Sequence, residues 1–428
     1  MDALEIQPLD RPVNADISIP GSKSITNRVL LIAALSDGIT RLEGALFSDD
    51  TRYMAQALER LGVNVESDEA TASVTVTGTG GNIPVSEADL FIGNSGTTAR
   101  FLTAYLGLGK GTYTIDGTPP MRGRPIQDLL DGLKHLGVNA FSKMQNGCPP
   151  IVIEASGLQG GRTFMAGHHS SQYFTALLLV APYAQQDVEI RVEGDLVSKP
   201  YIDITLETMR SFGVEVINDG YNTFHIRAGQ RYQPQTYQIE PDASNASYFW
   251  GAAALTGGRV QILGLTADSI QGDVQFTDVL AQMGCTVQFH PDGIEVQGPD
   301  QLSGIDIDLN TMPDVVQTLC AIAPFASGPV TVRNVANLRI KETDRIAAMA
   351  KELQKLGVSV DVHPDSLTVY PTDQIQPAEL DTYDDHRMAM SLSLIGLKVP
   401  GLVIRNPNCV HKTFPTFFTA LETLRENA

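Results

Sequence analysis

The sequence is short of several features that would point to common functions. It holds one tryptophan and four cysteines, Cys148, Cys285, Cys320 and Cys409, none of them in a CxxC pair. A disulfide framework or a zinc cluster is therefore not expected, and reduced thiols without a metal are. No apolar run reaches the roughly 18 residues that a membrane span needs. The N-terminus has neither a basic region followed by a long apolar one nor an Arg- and Ser-rich composition. The reading expects no membrane, no secretion signal and a cytoplasmic location. Basic residues are also scarce, 30 Lys and Arg against 49 Asp and Glu, for a net charge of −19. Such a surface repels nucleic acid. There is no GxxxxGK(S/T) loop, no GxGxxG fingerprint, no HExxH pair and no GxSxG elbow, so no nucleotide cofactor and no hydrolase chemistry is expected.

The chain does contain a repeat. Its 428 residues, 43% of them hydrophobic, suffice for two or three domains. A helix-like stretch that ends in Gly before a short β-branched run occurs as ALERLGVNV (57–65), GLKHLGVNA (132–140), TMRSFGVEV (208–216), VLAQMGCTV (279–287) and ELQKLGVSV (352–360). The glycines Gly62, Gly137, Gly213, Gly284 and Gly357 are spaced 75, 76, 71 and 73 residues apart. A sixth, degenerate copy is ALETLRE (420–426). Gly just past a helix adopts the left-handed conformation that closes it. A second helix-like stretch, polar at first and then apolar, keeps the same period. It begins near Lys23, Gly96, Ser170, Ser244, Asp314 and His386, at steps of 73, 74, 74, 70 and 72. Apolar all round after its first turn, it is expected to be buried. Each unit reads as strand, helix, strand, helix and further strands. A polar, Gln-rich stretch AGQRYQPQTYQIEPD (228–242) and the pair Pro20-Gly21 mark boundaries.

Chemistry gathers at the starts of the buried helices. Their first turns are rich in Ser, Thr and Asn, for which capping is the ordinary explanation. Lys23, Arg28, Arg100, Lys341, Arg345, Arg387 and Lys412 lie at or near helix starts, and Arg122, Arg124 and Lys199 precede others. A cation there opposes the helix dipole. The same local rule broken many times in one direction points to anionic ligands. Asp314 reads as an N-cap or a base. Glu342, crowded with Lys341, Asp344 and Arg345, reads as a helix-start acid or a proton donor. His386 reads as a titrating group or a cap.

The segments PGSKSITNR (20–28), GNSGTTAR (93–100), PPMRGRPI (119–126), SSQYFTALL (170–178), DLVSKPYIDIT (195–205), DASNASYF (242–249), NLRIKETDR (337–345), DDHRMAM (384–390) and KTFP (412–415) resemble, in order, the signatures of EPSP synthases. That resemblance implies an α/β fold of enolpyruvyl-transferase type with two lobes, each of three pseudo-symmetric βαβαββ units with buried helices. Lobe one would be residues 1–21 with 241–428, and lobe two 22–240, with the active site in the cleft between them. The activity implied is transfer of the enolpyruvyl group of phosphoenolpyruvate to the 5-hydroxyl of shikimate 3-phosphate, without cofactor. Asp314 would be the base, Glu342 the proton donor, and Lys23 would touch both substrates and assist phosphate departure. Shikimate 3-phosphate would be held by Lys23, Ser24, Arg28, Ser170, Ser171, Gln172, Ser198, Tyr201, Asp314, Asn337 and Lys341. Phosphoenolpyruvate would meet Lys23, Asn94, Gly96, Arg124, Gln172, Arg345, Arg387 and Lys412, with His386 in support. Glyphosate is the inhibitor and a monomer the state that the resemblance implies.

Phe101 departs from the family, some members having Pro there, which bears on inhibitor sensitivity. The pair His168-His169 has no role in this reading. Rival readings are the sister transferase that uses UDP-N-acetylglucosamine and a non-catalytic anion-binding protein of the same fold. The loop TPPMRGRP (118–125) lacks the cysteine that the sister enzyme often uses, and Lys23, Asp314 and Glu342 are all present.

Overall fold

The computed structural model describes residues 2–426 of the chain. Its contacts divide the chain into two compact units, a continuous one, Gly21–Ile239, and a discontinuous one made of Met1–Pro20 and Glu240–Ala428. The continuous unit holds helices α1 (Lys23–Leu35), α2 (Asp49–Arg60), α3 (Gly96–Leu106), α4 (Gln127–His135), α5 (Ser171–Val180) and α6 (Lys199–Ser211). The discontinuous unit holds α7 (Ala243–Thr256), α8 (Phe276–Gln282), α9 (Val316–Ile322), α10 (Arg345–Lys355), α11 (His386–Gly396) and α12 (Phe417–Glu426).

Two kinds of helix alternate, as the two repeated patterns require. The odd-numbered helices are the apolar stretches, and almost every residue in them is buried. The even-numbered ones bury a single face; α2, for example, buries Met54, Ala57 and Leu58 and exposes Arg52 and Glu59. The five repeated glycines follow α2, α4, α6, α8 and α10 with φ of 87°, 86°, 82°, 105° and 81°. In every copy the next N–H bonds back five residues, Val63 to Leu58, Val138 to Leu133, Val214 to Met209, Cys285 to Leu280 and Val358 to Leu353. These are Schellman closures, in which the left-handed glycine turns the chain out of the helix and into the next strand.

The strands fall into a recurring sheet. Glu87–Phe91, Lys110–Asp116, Ile151–Ser156 and Asn139–Ser142 are neighbours in that order, the first pair parallel and the rest antiparallel. The same arrangement recurs in Gly161–Ala166, Val188–Glu193, Thr223–Ile226 and Val216–Asp219. It recurs again in Ile305–Asp308, Val330–Arg333, Leu367–Val369 and Val360–Val362. A buried helix crosses over between the parallel strands and an amphipathic one leads to the hairpin, which is the expected βαβαββ unit.

Two units borrow their first strand from a distant part of the chain. Asn14–Ile17 pairs in parallel with Arg259–Leu263, and Thr236–Gln238 with Ile39–Glu43. The stretch read as a polar boundary thus contains a strand, with Tyr232 and Ile239 buried beside it. The sixth unit is reduced. Its parallel pair is Glu379–Leu380 and Leu402–Arg405, and Ala3–Ile6 runs antiparallel to the latter.

The single tryptophan, Trp250 on α7, is fully buried, and its N–H donates to the Ile294 carbonyl at 3.2 Å. Among the described residues no helix is long and apolar enough to cross a membrane.

Gly357 isolates the backbone contribution of the repeat. A Cβ there would meet only the Gln374 carbonyl oxygen, at 3.6 Å, but the φ of +81° remains unfavourable for an L side chain. Gly357→Ala is expected to destabilise the discontinuous unit by about 1–2 kcal/mol. The check is the denaturant midpoint, and an unchanged midpoint would contradict the strain argument.

Candidate functional site

In the discontinuous unit three cations and three carboxylates interlock. Arg345 opens α10, whose N-cap Asp344 accepts the Ala347 N–H at 3.0 Å. The Arg345 side chain is only 2% exposed. It donates from Nε to Asp385 Oδ2 at 2.8 Å and from Nη2 to Asp385 Oδ1 at 3.2 Å, a bidentate grip. Nη1 reaches Asp314 at 3.1 Å and Nη2 reaches Glu342 at 2.9 Å. Arg387, near the start of α11, donates to Asp314 at 2.8 Å and to the Tyr248 hydroxyl at 3.2 Å. Lys412 lies 3.4 Å from Glu342. Burial alone would lower the Arg345 pKa; the charges of Asp385, Glu342 and Asp314 outweigh it and hold the guanidinium firmly protonated. Burial pushes Tyr248 up to about 12, against the pull of Arg387.

Several readings of single residues are resolved here. Asp314 lies inside a 3-10 turn, Pro313–Val315, that shows no side-chain cap bond, and its carboxylate pairs with the two arginines instead. His386 is not the cap of α11. That position is taken by Asp385, which accepts the Arg387 N–H at 2.9 Å and lies 3.5 Å from His386 Nδ1. Asp385 was missed, although an Asp directly before an apolar helix is itself a capping signal. Lys412 closes a 3-10 turn, Pro407–Lys412, and lies five residues before the start of α12 at Phe417. Asn337 is buried on the 3-10 turn Ala336–Ile340, and Lys341 follows it.

Asp273 was also missed. It sits on the 3-10 turn Gly272–Gln275, is 4% exposed, and accepts the Ser244 hydroxyl. Burial, reinforced by the charge of Asp314, pushes it up to about 7, while Ser244 and Arg387 pull it down. Its surroundings are polar but too dry for an easy charge.

In the continuous unit the site residues sit on the starts of α1, α3, α5 and α6. Ser22, Ser95 and Ser170 cap the first three of these, and none of the four has an acidic residue in its first turn. The dipole and the outward N–H groups are thus not already neutralised by carboxylates. Arg28 joins three of these helices. It donates to Ser24 O at 2.7 Å, Tyr201 O at 2.9 Å, Thr205 Oγ1 at 2.9 Å and Thr175 Oγ1 at 3.4 Å. Burial lowers its pKa to about 10, so it stays charged at neutral pH. The Phe101 ring lies beneath it, 5.5 Å from the guanidinium carbon. Ser198 holds a left-handed φ of 55° at the start of α6, a strain that commonly marks functional positions.

Arg124 donates to Asn94 O at 3.2 Å, and Gln172 reaches Thr97 at 3.4 Å. A Cβ on Gly96 would lie 2.6 Å from Arg124 Nη2 and 2.7 Å from Arg100 Nη1, so a larger residue there would push these guanidinium groups from their positions. Lys23 is 3.8 Å from Asp50. Ser171 and Tyr201 lie in the first turns of α5 and α6. His169, which had no role in the sequence reading, pairs with Asp128 at 2.6 Å and so ties the segment before Ser170 to α4. Among the described residues no cluster of three or more His, Cys, Asp or Glu could hold a metal ion.

The Asp273 environment has a measurable consequence. Its folded pKa stands above the ordinary carboxyl value of about 4, so between about pH 4 and 7 the folded state binds more protons than the unfolded one. The stability it contributes is therefore lost as pH rises through that window. Asp273→Asn keeps an oxygen for Ser244 and carries no charge. Relative to the natural protein, the variant is expected to gain stability between pH 5 and pH 8. Thermal unfolding at both pH values measures it, and a pH-independent difference would refute the burial argument.

Comparison with known proteins places the chain. The family model of EPSP synthase (3-phosphoshikimate 1-carboxyvinyltransferase) matches residues 9–421. The chain is 53% identical over 419 residues to the 3-phosphoshikimate 1-carboxyvinyltransferase of Nostoc punctiforme, covering 98% of each. It is 46% identical over 425 residues to that of a Marinomonas species, covering 99% of this chain and all of the relative. Among solved structures, EPSP synthase from Acinetobacter baumannii superposes with a TM-score of 0.84 at 25% identity, covering 99% of this chain and 98% of the other. The enolpyruvyl transferase NikO from Streptomyces tendae shares the fold, with a TM-score of 0.76 at 19% identity over 99% of this chain and 97% of its own. The chain belongs to the EPSP synthase (3-phosphoshikimate 1-carboxyvinyltransferase) family.

Proposed function

We propose that this chain transfers the enolpyruvyl group of phosphoenolpyruvate to the 5-hydroxyl of shikimate 3-phosphate, releasing phosphate. It acts as a monomer in the cytoplasm, with glyphosate as inhibitor. Residues of both units, Met1–Pro20 with Glu240–Ala428 and Gly21–Ile239, carry the roles given below. The observation that carries the reading is the interlocked cluster around Arg345, in which three of the cations proposed to hold phosphoenolpyruvate, Arg345, Arg387 and Lys412, are each paired with a carboxylate proposed to move a proton.

That pairing suggests how binding arms the site. Phosphoenolpyruvate brings a carboxylate and a phosphate, which compete for the guanidinium groups of Arg345 and Arg387 and for the Lys412 ammonium. As these donors turn to the substrate, Asp314 and Glu342 lose partners and become available. Asp314 takes the proton of the 5-hydroxyl while its oxygen bonds to C2 of phosphoenolpyruvate. Glu342, which takes up a proton from water once its cations have turned to the substrate, gives that proton to C3, which yields a tetrahedral intermediate. In the elimination C3 returns a proton to Glu342, the bond from C2 to the phosphate oxygen breaks, and the proton held by Asp314 passes to the leaving phosphate, which Lys23 stabilises. Shikimate 3-phosphate is held by Ser24, Arg28, Ser170, Ser171, Gln172, Ser198, Tyr201, Asn337 and Lys341. Arg28, with most of its donors committed to the protein, acts mainly by fixing the starts of α1, α5 and α6 for that phosphate. Asn94, Gly96 and Arg124 line the place of phosphoenolpyruvate, and His386 supports the start of α11.

Two experiments test this. The purified protein mixed with phosphoenolpyruvate and shikimate 3-phosphate, without metal or nucleotide, is expected to release phosphate. It is expected to release none when UDP-N-acetylglucosamine replaces shikimate 3-phosphate. Release only with the sugar nucleotide would move the activity to the sister enzyme, and silence in both tubes would sink catalysis. In Gly96→Ala the new methyl displaces Arg124, removing a charge-assisted hydrogen bond of about 1.5–3 kcal/mol. The inhibition constant of glyphosate is expected to rise by about 10- to 150-fold. An unchanged constant would show that neither ligand lies against Gly96.

A further inference from the structure

The proposed mechanism leaves one fully buried carboxylate without a task. Glu352 lies on α10, seven residues or about two turns beyond Arg345, and has no exposed surface. Its Oε2 accepts the Asp381 backbone N–H at 2.9 Å and the Lys355 ammonium at 2.6 Å. Its Oε1 accepts the Tyr383 hydroxyl at 2.5 Å. Lys355 also reaches the Asp381 carboxylate at 2.8 Å, and the Lys351 ammonium lies 5.6 Å from the Tyr383 ring centre. A residue needed only to fill the core would be apolar, because a buried carboxylate is tolerated only with its partners in place.

These bonds grip an unfavourable piece of backbone. Tyr383 and Asp384 both have φ of 55°, two consecutive side-chain-bearing residues in the left-handed region. Such a turn persists only where its surroundings over-determine it. Asp384 Oδ1 in turn accepts Asn406 Nδ2 at 3.2 Å. Asn406 is itself left-handed, with φ of 46°, and opens the 3-10 turn that ends in Lys412. The residue after Asp384 is Asp385, which caps α11 at the Arg387 N–H and clasps Arg345. A single buried carboxylate is thus linked through short contacts to the segments that carry Arg345, Arg387 and Lys412.

We propose that Glu352 is a positioning residue for phosphoenolpyruvate. By holding Tyr383 and the Asp381 N–H it keeps the Tyr383–Asp384 turn left-handed, sets where α11 begins, and so places the three cations. It acts through these residues and touches no substrate. The proposal rests on the enolpyruvyl-transfer reading given above.

Steady-state kinetics of the full chain test it, with each substrate varied in turn. Tyr383→Phe is the deciding variant, since it removes one hydroxyl and keeps the ring. Glu352→Ala removes the whole anchor, and Glu352→Gln keeps an acceptor oxygen. Displacement of binding groups by about an ångström costs up to about 100-fold. The KM for phosphoenolpyruvate is therefore expected to rise by about 10- to 100-fold in Tyr383→Phe, with the KM for shikimate 3-phosphate within about twofold of its starting value. Glu352→Gln should recover part of what Glu352→Ala loses. A lower melting temperature with both KM values unchanged overturns the proposal and leaves Glu352 a purely structural residue. A natural protein that releases no phosphate overturns the enolpyruvyl-transfer reading and this proposal together.

Discussion

The bidentate grip of Asp385 on Arg345 is the contact on which the discontinuous unit's chemistry depends. Both groups are almost completely withdrawn from water, where a lone charge would be very unfavourable. Each therefore requires the other, and breaking such a pair typically costs about 3–5 kcal/mol. The same contact fixes three elements. It joins the first residue of α10 to the cap of α11, and through Asp314 to the turn before α9. A surface pair could not do this, because solvent would screen it and its side chains would wander.

The starts of the odd-numbered helices raise the same physics. Apolar side chains bury α1, α3 and α5 almost completely, and only Lys23, Ser24 and Gln172 of these helices keep partial exposure. Serine caps satisfy single N–H groups, and the lack of first-turn acids leaves the positive ends uncompensated from within. An anion is the natural complement. Burial of the helix and affinity for a charged ligand are thus two results of one sequence pattern.

That pattern is why so much was legible beforehand. A glycine that closes a helix must lie at one fixed place, so Gly62, Gly137, Gly213, Gly284 and Gly357 kept the period in plain view. Helix-start cations were visible because they break a local rule. Asp273 and Glu352 were not, because a carboxylate becomes remarkable only once burial is known, and their neighbours are distant in sequence. Asp273 meets Ser244, and Glu352 meets Tyr383. His169 was opaque for the same reason, its partner Asp128 lying on another helix. The strand Thr236–Gln238 was hidden by its polar composition. It is an edge strand held by backbone pairing with Ile39–Glu43, which apolar periodicity does not report.

The borrowed strands bear on how the chain is made. During synthesis Asn14–Ile17 emerges first but must wait for Arg259–Leu263, its partner. Everything from Gly21 to Ile239 is translated in the meantime and already contains the strand that completes its own first sheet. The continuous unit can therefore fold on the ribosome while the N-terminal segment stays unpaired. Closing that long loop adds little entropy beyond that of a shorter one. Once the inserted unit has folded, moreover, its two ends lie close together, since Gly21 abuts Ile239. The early-folding insert thereby delivers the waiting strand to the late-arriving half of the protein.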